Sequence, residues 1–103
     1  MTRMFVVYRT PEDPAAFDKH YFNVHIALSK GLPGLLSYEV SEGAAITMGS
    51  ASDAYRVAIL TFQSMETLKA AFESKLGRAC AADRQLMSPD EKVQMFLFDD
   101  RPV

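Results

Sequence analysis

The chain has 103 residues, a length that suits one domain spanning 1–103. Apolar residues make up 49% and charged residues 23%, which is globular rather than disordered composition. The net charge of −2 provides no basic face for nucleic acid, and no apolar run approaches the roughly 20 residues of a membrane span.

In chain order, Arg3 to Arg9 is dense in β-branched and aromatic residues and reads as a strand that ends at Thr10-Pro11-Glu12-Asp13-Pro14. Asp13 then serves as N-cap, with Pro14 at the first position of a helix. Phe17, Tyr21, Val24 and His25, Leu28 and Leu32 form its apolar side, and Gly31 with Pro33-Gly34 closes it. Leu35 to Val40 is a second strand with Leu36, Tyr38 and Val40 on one face. Ser41 to Ala54 is small and polar, with Ile46-Thr47-Met48 as an expected continuation of the strand. Tyr55 to Phe62 is a third strand. Ser64 caps a helix that turns Leu68, Ala71 and Phe72 inward. Gly77 is the expected break in it, followed by a helical stretch from Arg78 to Leu86. Ser88-Pro89-Asp90 is a turn, and Val93 to Phe98 is the last strand.

This βαββαβ order predicts an α+β, ferredoxin-like fold, with both helices on one face of a four-stranded antiparallel sheet. The other sheet face should alternate with polar residues if it were wet. Phe5-Val6-Val7, Ala58-Ile59-Leu60 and Met95-Phe96-Leu97-Phe98 are instead apolar on both faces. A second copy of the sheet is the simplest cover, so a homodimer is expected. The N-terminus lacks the pattern of a secretory signal, and Cys80 has no partner for an internal disulfide. Both point to a reducing, cytoplasmic setting.

His25 is the most unusual residue of the first helix, because it shares a stripe with Phe17 and Tyr21. It reads either as a core histidine with a satisfied ring or as a general base projecting into a pocket. His20, five residues earlier, is expected to be offset from it by more than one helical turn. Two such imidazoles without a third ligand make a poor metal site. Tyr8 and Tyr38 can offer phenolic hydroxyls from the sheet, although buried tyrosines more often anchor packing. Asp83 falls on the line of Leu76, Cys80 and Met87. It pairs either with Arg9, Arg56 or a backbone amide, or with a histidine as a carboxylate–imidazole dyad. Cys80 reads as a small apolar residue. Asp18, Lys19, Lys30, Glu66, Lys69 and Glu73 read as solvent-facing, and any ligand is expected to be apolar rather than phosphorylated. No cofactor motif is present in the sequence.

The stretch Phe17-Asp18-Lys19-His20-Tyr21-Phe22-Asn23-Val24-His25-Ile26-Ala27-Leu28, continuing through Lys30-Gly31-Leu32-Pro33-Gly34-Leu35, resembles the signature of the EthD family, named for ethyl tert-butyl ether degradation. Tyr38-Glu39-Val40, Ala58 to Ser64 and Ala81-Ala82-Asp83 extend the resemblance. It departs from the family pattern at Ala27, where proline is frequent, and at Ser74-Lys75-Leu76-Gly77, where Ser-Pro-Glu-Gly is usual. The resemblance implies a dimeric α+β barrel related to muconolactone isomerases and cofactor-independent quinone-forming monooxygenases, which use a pocket between helices and sheet. It implies His25 as the pocket histidine, with Tyr21 and Asp83 behind it. Three functions stay open: a cofactor-free enzyme in which His25 moves a proton, a binding protein for an apolar or aromatic intermediate, and a dimer with a closed core.

Overall fold

Alternating apolar residues at the start of the chain form strand β1 (Thr2–Tyr8), which occupies an interior position in the sheet. The computed structural model describes residues 1–49 and 53–103. Strands β2 (Leu35–Val40), β3 (Arg56–Phe62) and β4 (Val93–Asp99) complete a sheet of order β2-β3-β1-β4, antiparallel at every pairing. Ser50, Ala51 and Ser52, part of the loop read from the sequence, lie outside the described residues. Ile46-Thr47-Met48 does not continue the strand: Ile46 and Met48 are 94% and 93% exposed, and neither belongs to a strand.

The first helical region is not one α-helix. Helix α1 (Pro14–His20) passes into a single π turn (Tyr21–His25) and then into the short α2 (Ile26–Ser29). Its start is the expected one, since Asp13 Oδ1 accepts from the Ala16 amide at 3.1 Å. The π turn is marked by the Ile26 amide donating to the Tyr21 carbonyl. At the far end, Gly34 has φ 79°, and a Cβ there would stand 2.4 Å from the Thr67 methyl, so both backbone and packing demand glycine.

The second helical region breaks at Ser74, not at Gly77. Helix α3 (Met65–Glu73) is capped by Ser64, which accepts from the Thr67 amide at 3.1 Å. Ser74 adopts an extended conformation and caps α4 (Lys75–Met87) by accepting from the Gly77 amide at 3.0 Å. A hydroxyl that can take the new helix's amide makes the interruption cheap, whereas Gly77 sits inside the first turn of α4 for space. After α4 the chain makes a 3-10 turn (Asp90–Lys92) into β4.

Pairing registers decide the two faces. Met4, Val6 and Tyr8 of β1 stand beside Ala58, Leu60 and Phe62 of β3, and Phe17, Tyr21, Leu32, Leu68, Ala71 and Cys80 from the helices close over them. Each large apolar side chain buried here contributes roughly 1.5–3 kcal/mol. On the opposite face Phe5 lies between Ile59 and Phe96, with Phe98 beside it in edge-to-face contact at 5.3 Å. Phe96 and Phe98 are 48% and 39% exposed, and no described element covers them. The two-sided apolar pattern is thus a real open face. One solvent-facing assignment changes: Asp18 is half-buried, accepting from the Tyr55 hydroxyl at 2.8 Å and lying 3.4 Å from Arg56.

Candidate functional site

Spacing by four along the first helical region stacks three rings above the sheet. Phe17 and Tyr21 lie 5.6 Å apart and nearly parallel, and Tyr21 and His25 are 5.7 Å apart at 21°. Tyr8 meets both Phe17 and Tyr21 edge to face. His25 therefore ends a buried aromatic ladder, and its side chain is 7% exposed.

The π turn changes what stands next to it. In an α-helix, residues five apart lie about 140° apart around the axis. A turn closed by i→i+5 bonds brings such residues into line. His20 and His25, expected to be offset, instead share one carboxylate. His20 Nε2–H donates to Asp83 Oδ1 and His25 Nδ1–H donates to Asp83 Oδ2, each at 2.8 Å. An ionised carboxylate only accepts, so the neutral His25 ring carries its proton on Nδ1 and keeps a lone pair on Nε2. Asp83 thus takes the histidine pairing rather than Arg9, Arg56 or a backbone amide.

Burial pulls the His25 pKa below its ordinary value and prevails over the bond and charge of Asp83, which pull it up; His20 and Arg84 add to the lowering. Asp83 is also partly desolvated, which acts upward, but its bonds to His25 and His20 hold the carboxyl below the usual range. The pair is therefore a neutral imidazole on an ionised carboxylate near neutral pH.

His25 lines a cavity of about 250 Å³ between helices and sheet. Met4, Val6, Leu60, Phe72 and Met95 make its apolar wall. Tyr8, Tyr38, Ser29, Cys80 and Arg84 supply the remaining polar groups around His25. A ligand site for drug-sized molecules spans roughly 300–1,000 Å³, so this one suits something smaller, on the scale of one ring. Tyr8 and Tyr38 line the cavity, whereas Tyr21 and Asp83 stand behind its wall, where Tyr21 bonds the Tyr38 hydroxyl at 2.8 Å. Burial raises all three tyrosine pKa values, so these hydroxyls stay protonated. Burial likewise pushes the Cys80 thiol up against the opposing bond to Ser29, which makes it a poor nucleophile.

Nothing in the sequence marks His20, Ser29 or Ala81 as lining or bonding this site. Arg84 has one signal, since it follows Asp83 on the helix that faces the sheet. Its guanidinium donates to the Ser88 carbonyl at 2.8 Å and to Asp90 at 2.6 Å. A second, more open groove of about 580 Å³ lies on the His20 side, lined by Pro11, Phe17, His20, Leu86 and Met87 among others. It is larger, but it lacks the His25 ring and is lined by other residues.

A family model described as the EthD domain matches residues 9–89. An uncharacterised 11.0 kDa protein of the thcB-thcC intergenic region of Rhodococcus erythropolis is 36% identical over 83 residues, covering 81% of this chain and 80% of that one. The crystal structure of an ethyl tert-butyl ether d (EthD) family protein from Bacillus halodurans superposes with a TM-score of 0.87 at 28% identity, covering 98% and 99% of the two chains. SnoaB of Streptomyces nogalater, a cofactor-independent oxygenase, has a TM-score of 0.68 at 16% identity over 99% of this chain and 94% of its own. At that identity the likeness is one of fold alone.

Proposed function

The chain belongs to the EthD family, and from that premise we propose that its inner cavity binds a small apolar or aromatic molecule, in the catabolism of such compounds. The observation that carries the reading is His25: a buried imidazole oriented by Asp83 at 2.8 Å on the wall of a largely apolar cavity. A core histidine that served packing alone would not need open space beside it. The apolar lining favours an uncharged ligand, and Tyr8, Tyr38 and His25 supply the polar contacts that orient it.

The Asp83–His25 pair favours a second reading, a cofactor-independent enzyme of isomerase, dehydratase or monooxygenase type. His25 Nε2 takes a proton from an activated carbon or hydroxyl, the electron pair stays on the substrate, and Asp83 stabilises the imidazolium. In an isomerisation the same proton returns at another atom; in a dehydration it leaves with hydroxide as water. Oxygenation would need dioxygen as co-reactant.

The open sheet face supports pairing with a second copy. Phe5, Ile59, Phe96 and Phe98 form a contiguous apolar surface, and a two-fold sheet-on-sheet contact covers it on both protomers at once. No helix among the described residues is long and apolar enough to cross a membrane.

The test is thermal stabilisation across a panel of small aromatic and ether compounds, on the parent and on His25→Ala. Saturation to 100 times Kd stabilises the native state by about 2.7 kcal/mol, so a ligand raises Tm with its concentration. A parent that responds to no compound defeats the ligand reading. Turnover of a stabilising compound that disappears in folded His25→Ala selects the enzyme over the binding protein.

A further inference from the structure

His20 stands outside the cavity that His25 lines. Its side chain is 39% exposed and faces the outer groove, yet it spends a hydrogen bond on Asp83 Oδ1 at 2.8 Å. The terminal torsion of an aspartate is broad and roughly two-fold. A carboxylate held at one oxygen can therefore swing, whereas one held at both has its plane set. Asp83 is 14% exposed, so an unpinned carboxylate has water within reach to turn toward.

We propose that His20 is a positioning residue: it pins Asp83 from the groove side, so that the second carboxylate oxygen keeps the His25 proton on Nδ1 and offers Nε2 to the cavity. The inference rests on the reading of that cavity as the ligand site. The π turn is what makes the arrangement available, because it lines up two histidines that an α-helix would send to different faces.

The charge environment makes the idea testable by sign. The groups facing His25 are Asp83 and Arg84 from α4 and His20 from its own helical region, with Tyr8 from β1, Tyr38 from β2 and the Cys80 thiol around the cavity. Asp83 raises the His25 pKa, while His20 and Arg84 lower it. If His20 acted only as a neighbouring positive charge, deleting it would raise the His25 titration midpoint or leave it unmoved. If it holds Asp83, deleting it frees the carboxylate and the midpoint falls.

The experiment is an NMR titration of the His25 ring, with ring-nitrogen shifts reporting the tautomer, in the ligand-free full chain as parent, His20→Leu and His20→Gln. The expected result for His20→Leu is a midpoint lower by roughly 0.5 pH or more and a mixture of tautomers at neutral pH. His20→Gln, whose side-chain amide can donate to the same oxygen without titrating, restores both. A midpoint in His20→Leu that rises or stays, or a His25 proton that remains on Nδ1, overturns the proposal. Should His20→Leu fail to fold, His20→Ser, too short to reach Asp83, gives the same reading. The titration uses no ligand, so its outcome stands apart from that of the compound panel.

Discussion

Substituting Gly77 by alanine tests whether the α3–α4 junction sets the site. A Cβ at Gly77 would lie 2.1 Å from the Ala71 carbonyl oxygen, 2.5 Å from Phe72 Cα and 2.8 Å from Phe72 C, all backbone atoms of the preceding helix. Ordinary contact begins near 3.4 Å, so the first turn of α4 has to withdraw by more than an ångström, against the Ser74 cap that bonds the Gly77 amide. Overpacking of this kind costs about 1–3 kcal/mol, and rigid backbone neighbours place it at the upper end or beyond. Alanine's better helix propensity offsets about 1 kcal/mol of that. A net loss of about 2 kcal/mol lowers Tm by roughly 8–16 °C in a domain this size. Because α4 carries Cys80, Asp83 and Arg84, the same shift loosens the bonds to His20 and His25. Circular-dichroism melts at fixed protein concentration measure the first effect, and the His25 ring titration measures the second. A Gly77→Ala protein that melts at or above the parent temperature would show that the close backbone approach at Gly77 does not hold the junction.

Asp83→Asn offers one acceptor where two imidazoles each donate, so His25 loses the carboxylate that raises its pKa. Its titration midpoint is expected to fall by about one pH, as read by NMR. The folded-state pKa of His25 is below its ordinary 6.5, so its contribution to stability is fully present above 6.5 and is lost as pH falls through the interval beneath. Asp83, held below 3.8, contributes above that value and loses it as pH falls through the lowered pKa. Melting curves against pH should accordingly show two declines, with the upper one flattened in His25→Phe; a parent curve level from pH 7 to 5 would contradict the linkage. Ala81→Trp places an indole at an exposed position on the cavity rim. It should abolish ligand-dependent stabilisation while changing unliganded stability by no more than about 0.5 kcal/mol. Phe96→Glu puts a charge on the open sheet face and should yield a monomer in sedimentation; an unchanged mass would rule out that face as the contact.

Local sequence pattern specified the order and type of nearly every element. Alternation in Thr2–Tyr8, the Asp13-Pro14 start and the Ser64 cap are local signals, and local chemistry is enough to read them. It also determined that both sheet faces are apolar and that His25 lies on a buried stripe, because periodicity reports which residues share a face. Packing between elements settled the rest. Ile46-Thr47-Met48 has strand-like residues but forms no strand, since strand-like composition by itself does not make a ladder. The helix break fell at Ser74 because a hydroxyl there caps the next helix, while Gly77 answers to a packing contact that no propensity scale contains. A histidine partner for Asp83 was one of the two readings open in the sequence, but His20 joining His25 on it was illegible because α-helical periodicity places residues five apart on different faces. Only the π turn, together with the carboxylate that α4 brings from 58 residues beyond His25, puts both imidazoles on one acceptor. A site assembled from two helical regions is a property of how they pack, and periodicity within either one does not encode it.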